Sequence, residues 1–173
     1  MRTITINEDG LKTKDIEIVG SKVRAVILEG SQLLVANYGG VYLLPGGSID
    51  KGESKEEAIV RELREETGIK YSLKELEEFF TLKYYQRQYP LRHDTTKNRL
   101  SITHFYLANY KGINQYNLNR TAKEVRDGFD LRLVNINDID SLIQEVPSNH
   151  NPRKPFFDRE LEEVQKELKK YYK

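Results

Sequence analysis

The chain has no cysteine, which excludes disulfides, a thiol nucleophile and thiolate ligation of zinc. It has no surplus of charge either. Its 28 lysines and arginines stand against 27 acids, a formal net charge of +1, so no bulk field draws it to nucleic acid or to a membrane. Long apolar runs are missing: no stretch approaches membrane-spanning length, and Met1-Arg2-Thr3-Ile4 does not open a signal-peptide core. A soluble, cytoplasmic protein is the expectation. No internal repeat is present, and 173 residues suit one domain spanning 1–173.

What is present concentrates in residues 45–69. Pro45-Gly46-Gly47 ends an apolar run, and paired glycines permit backbone angles and close approaches that a side chain forbids. Ser54 with Glu57 three residues on has capping-box spacing, and Gly68 suits a helix stop, so a helix is expected over 54–67. On that helix Glu62, Glu65 and Glu66 fall at i, i+3 and i+4, beside an apolar stripe of Ile59, Val60 and Leu63. Three like charges on one side repel, and a hard divalent cation reverses that balance, because Mg²⁺ takes oxygen ligands between carboxylates and substrate phosphates. The bland alternative is a solvated acidic face with helix-surface ion pairs.

Gly47, Glu53 and the run Arg61-Glu62-Leu63-Arg64-Glu65-Glu66-Thr67-Gly68-Ile69 match the Nudix box at every defined position and spacing, so the chain resembles the Nudix hydrolases. The resemblance implies an α+β fold, an α/β/α sandwich around a mixed sheet. It implies hydrolysis of a phosphoanhydride in a nucleoside diphosphate linked to another group, with Mg²⁺ or Mn²⁺ held by Glu62, Glu65 and Glu66. A carboxylate of the cluster, with Glu65 a candidate, or an acid from a loop such as Glu124 or Asp127, would take the proton from water. Glu53 and Arg61 would tie loop to helix, and Gly46 and Gly47 would bring backbone groups near metal or phosphate. The partner implied is a small nucleotide substrate; a homodimer stays open. The other function class is a nucleotide-sensing Nudix domain that binds without turnover, although such domains commonly lose box acids that are retained here.

Around the box, residues 2–7 and 13–18 alternate about Glu8-Asp9-Gly10 and read as a hairpin, an extension over 1–20 that would enlarge the sheet or pair with a second subunit. Residues 23–28 and 32–36 form a second hairpin, and 41–44 a short buried strand. Arg24 interrupts its apolar run either as a sheet-edge charge or as a fork of donors for substrate phosphate. Strands are expected over 77–86, 100–108 and 129–136, with a basic loop between 90 and 99 that is either plain surface or a hold for the substrate's anionic part. His104 reads as a satisfied sheet histidine, and Asn137 as the cap of a helix reaching about 145. Residues 111–128 read as a polar insertion. A linker and helix fill 147–173, with Phe157, Leu161, Val164 and Leu168 in one stripe. Tyr85 sits where dinucleoside-polyphosphate members of the family carry a tyrosine, but sheet packing explains it equally well.

Overall fold

The computed structural model describes residues 1–113, 128–147 and 151–172. Strand β2 (Ile18–Glu29) organises it, because its apolar side chains alternate between two cores. Val23, Ala25 and Ile27 pack with Ala58, Ile59 and Leu63 of helix α1 (Lys55–Thr67), while Val26 and Leu28 join the opposite cluster. There they meet Ile139 and Leu142 of α2 (Ile139–Gln144) and Leu161, Val164 and Leu168 of α3 (Lys154–Tyr171). Helices on both faces of one sheet give the α/β/α sandwich that the sequence led us to expect.

The sheet is mixed and contains eight strands among the described residues. The strands are β1 (Arg2–Ile6), β2, β3 (Gln32–Tyr38), β4 (Val41–Leu43), β5 (Gly46–Ser48), β6 (Glu77–Pro90), β7 (Thr96–Asn109) and β8 (Asp130–Asn135). The spatial path is β1-β6-β7-β2-β3-β4, with β5 on β2 and β8 on β3. β2 runs parallel to β7 from Ile18↔Arg99 to Leu28↔Asn109, yet holds β3 only at Leu28↔Leu33 and Glu29↔Gln32. Nearer its start β2 pairs instead with β5, Val23 opposite Gly47 and Arg24 opposite Gly46. The two strands therefore part, and the site opens in the gap.

Three expectations need correction. Residues 2–7 and 13–18 do not form a hairpin. β1 pairs in parallel with β6, Arg2 opposite Phe80 through Ile6 opposite Tyr84, while Thr13–Asp15 is a 3₁₀ turn and β2 begins at Ile18. Asn7 explains the diversion: its side chain bonds both the N–H and the carbonyl oxygen of Leu11 and turns the chain away, and Leu11 is buried. The extension does enlarge the sheet, at its edge. The basic loop is also shorter than expected, since the β6–β7 ladder continues to Pro90↔Thr96 and the turn needs positive φ at His93 and Asp94. Lastly, Asn135 and not Asn137 makes the capping bond, accepting from the N–H of Asn137 at a 3₁₀ turn ahead of α2.

Candidate active site

Helix α1 forms where its local chemistry says it should. Ser54 Oγ accepts from the Glu57 N–H at 3.1 Å, and the Glu57 carboxylate accepts from the Ser54 N–H at 2.8 Å. At the other end Gly68 takes φ 71°, and its N–H reaches the carbonyl oxygen of Arg64. With Ile59 and Leu63 fully buried, the helix is fixed in rotation and its carboxylates fall at the border of core and cleft.

Two of those acids meet the glycines. Glu66, buried, accepts the Gly46 N–H at 2.8 Å. A methyl group on Gly47 would stand 2.5 Å from the Glu62 carboxyl carbon, so that glycine exists to let the carboxylate lie against backbone. Gly46 is more constrained: φ is 139°, and a Cβ there would fall 2.9 Å from Arg24 Cα, in backbone that cannot yield.

Arg61 ties the strand to the helix. Its Nε and Nη2 donate to the two oxygens of Glu53 at 2.7 and 2.9 Å, Nη2 also reaches the Ser48 carbonyl oxygen at 3.1 Å, and Nη1 reaches Glu62 at 2.8 Å. Glu65 stands 3.6 Å from the same Nη1. Bonds from Arg61, then from the Asp50 N–H, pull the Glu53 carboxyl down to about 2. Glu62 moves the other way: burial raises it, helped by the charge of Glu65, and Arg61 only partly offsets this.

Arg24 lies on a central strand and not at an edge. Its Nη1 donates to the carbonyl oxygens of Leu44 and Gly46 at 3.1 and 2.6 Å, fixing the bend into β5. Glu160 of α3 stands behind it, 3.6 Å from Arg24 Nε and 2.8 Å from Lys22 Nζ. Burial alone would push the Glu160 carboxyl up, but Lys22 and Arg24 outweigh it and hold the group below its ordinary value.

A cleft of about 520 Å³ opens here, within the range of small-molecule sites. Of the residues singled out in the sequence, Arg24, Gly46, Gly47, Glu62 and Glu66 line it. Glu65 and Arg61 instead line a larger hollow of about 1170 Å³ on the outer flank of α1, with Val60 and Leu73. Convergence of polar groups, not volume, makes the first the candidate site. Among the described residues no three acids or histidines gather tightly enough to form a ready metal centre. The donor set still suits a hard divalent ion: Glu62 and Glu66 are carboxylates crowded beside backbone at the cleft wall, with Glu65 adding a third like charge. Glu124 and Asp127 lie outside the described residues. His104 makes a 3.0 Å bond with Thr81 Oγ1, as a sheet histidine should.

The NUDIX domain family model matches residues 20–159. The chain belongs to that family. Over 50 residues it is 50% identical to a Bacillus subtilis protein provisionally named 8-oxo-dGTP diphosphatase, covering 28% of this chain and 34% of the relative. Over 37 residues it is 51% identical to a Methanocaldococcus jannaschii ADP-ribose pyrophosphatase, covering 21% of this chain and 22% of that one. The chain thus spans about a third or less of either curated relative. Among solved structures, a MutT NUDIX hydrolase from Burkholderia pseudomallei superposes with TM-score 0.55 at 17% identity, over 82% of this chain and 96% of its own. The NUDIX domain of Shewanella oneidensis NrtR, solved with ADP ribose, gives 0.54 at 17% identity over 95% of both chains. These two confirm the Nudix fold.

Tyr38, Phe129, Asn151, Arg153 and Phe157 also line the Nudix cleft, and none of them was identified from the sequence as a cleft residue; Phe157 was read only as part of the apolar stripe. Glu160 was missed as well. The only available signal was an acid interrupting the apolar stripe between Phe157 and Leu161, which does not name a partner on β2.

Proposed function

We propose that the protein is a divalent-metal-dependent pyrophosphohydrolase cutting the phosphoanhydride of a nucleoside diphosphate linked to another group. One observation carries the reading: Glu62 and Glu66 line the same cleft as Gly46 and Gly47, with the Glu62 carboxylate packed where a Cβ on Gly47 would lie. The names of the two partial relatives, a diphosphatase and a pyrophosphatase, agree with it.

In this reading Glu62, Glu65 and Glu66 hold Mg²⁺ or Mn²⁺. The bound ion supplies charge neutralisation at the phosphates and lowers the pKa of water. The chain does the remaining work. Arg61 keeps Glu62 and Glu65 from splaying apart, and Glu53 anchors Arg61. Arg24 locks the β5 bend through two carbonyls, so the Gly46 N–H stays on Glu66. A carboxylate of the cluster accepts the proton of the attacking water. The low net charge and the absence of cysteine fit action on a small anionic nucleotide in a reducing cytoplasm.

The test is Glu66→Gln, which keeps an oxygen acceptor for Gly46 but removes the charge. A screen of nucleotide substrates with Mg²⁺ or Mn²⁺ should give turnover for the wild type and at least ~100-fold less for the variant. Wild-type turnover in the variant would refute the assignment. Nucleotide binding without turnover in the parent protein would favour the sensing role.

A further inference from the structure

The cleft divides by charge. Glu62 and Glu66 stand on its α1 wall, while Arg92, from the turn joining β6 to β7, and Arg153, just ahead of α3, bring two cations from other elements. Among the described residues Arg153 is pinned by neutral partners only. Its Nε donates to the Pro90 carbonyl oxygen at 3.0 Å, its guanidinium lies 5.3 Å from the Tyr89 ring centroid, and its backbone N–H bonds Asn151 Oδ1 at 2.9 Å. Arg92 lends only its backbone carbonyl, to Thr95 Oγ1. Among the described residues neither arginine forms an ion pair. Several other arginines do, with Arg87 facing Asp9, Arg132 facing Glu145 and Arg159 facing Glu8, although among the described residues Arg64 and Arg99 do not.

An arginine oriented by a carbonyl and a ring keeps its full charge and has little freedom left to lose, the condition for tight anion capture. Arg153 meets that condition, and Arg92 adds a second, exposed charge; in a cleft whose other wall is acidic the two make a poor surface for a neutral sugar, which would cover the guanidinium groups without pairing them. A phosphate answers both.

We propose that Arg92 and Arg153 form an anion subsite for a phosphate lying beyond the diphosphate at the carboxylates, so that nucleoside triphosphates and longer polyphosphates are preferred over diphosphates capped by a neutral sugar. This rests on the hydrolase reading above and adds the class of the linked group. Tyr38 and Phe129, packed edge-to-face at 6.2 Å, offer the same cleft an aromatic surface for a base.

The experiment compares a nucleoside triphosphate with ADP-ribose in wild type, Arg92→Ala and Arg153→Lys. Among the described residues the Arg92 side chain has no hydrogen bond, ion pair or ring contact, and the lysine preserves charge while losing the planar fork. Arg92→Ala should lower kcat/KM for the triphosphate ~10–100-fold, chiefly through KM, and leave ADP-ribose within about twofold. Arg153→Lys should act in the same direction and more mildly. Equal losses on both substrates, or no loss on either, would overturn the subsite. If the wild type hydrolyses nothing with Mg²⁺ or Mn²⁺, the hydrolase reading fails separately. Calorimetry with an α,β-methylene triphosphate then decides: weaker binding by Arg92→Ala supports the subsite, and unchanged binding refutes it.

Discussion

Gly46 and Gly47 are adjacent, yet alanine at each should fail in a different way. At Gly46 the new methyl would meet Arg24 Cα at 2.9 Å and the Val23 carbonyl carbon at 3.0 Å, and φ is 139°. Neither the paired strand nor the dihedral can relax cheaply: positive φ costs ~1–3 kcal/mol and overpacking a similar amount. A loss of about 2–6 kcal/mol follows, lowering Tm by roughly 5–20 °C for a chain of this size. At Gly47 the obstacle is the Glu62 carboxylate, the far end of a flexible side chain, with its carboxyl carbon 2.5 Å from the methyl. Glu62 can swing aside for about 0.5–1.5 kcal/mol of rotamer strain, a Tm change of only a few degrees. Displacing it by an ångström or more should cost at least ~100-fold in turnover. Thermal unfolding by circular dichroism with single-turnover formation of nucleoside monophosphate followed by chromatography, both normalised to folded protein, separates the two. A Gly47→Ala enzyme with wild-type turnover would show that Glu62 is not required where it lies, and would refute the reasoning.

Glu53→Gln should remove stability that depends on pH. The folded-state carboxyl sits near 2 against an ordinary 4.5, so its contribution, on the order of 2 kcal/mol given the partial exposure of Arg61, is present above pH 4.5 and disappears as pH falls through 2. Urea melts of both proteins across that window should converge at the acid end, and a constant gap would contradict the pairing. Glu160→Ala strips the counterion from buried Arg24 and part-buried Lys22 and should cost ~3–5 kcal/mol by chemical denaturation. Ser54→Ala should cost about 1 kcal/mol through the lost cap, with turnover per folded molecule unchanged. Millimolar Mg²⁺ should raise the Tm of the wild type but not of Glu66→Gln, and the absence of any shift in an active wild type would count against the metal site.

Helix α1 was readable because its instructions are local: a cap at Ser54, a stop at Gly68, and apolar spacing that turns Glu62 and Glu66 toward the cleft. The strands on either side were readable from alternation, since Leu33 and Val35 face one core and Leu34 and Ala36 the other. Partners were not readable. The alternation in residues 2–7 marks a strand, and Ile6 is buried, but pattern alone cannot distinguish a hairpin neighbour from a parallel one on β6. Arg24 shows the same limit at the site. Its interruption of an apolar run was visible, but the carbonyls it holds and the glutamate behind it come from distant segments. Arg153 carried no mark at all, because its place in the cleft comes from the packing of Pro90 and Tyr89.

The dependence of Arg24 on Glu160 also sets an order of assembly. A growing polypeptide displays the whole acidic motif well before Lys154–Tyr171 is synthesised, but until that helix docks, the arginine bracing the bend lacks its counter-charge and the far wall of the cleft is missing. The cleft is therefore completed after the helix that carries its acids, and a nascent intermediate holds every residue of the motif before the walls that gather them are in place.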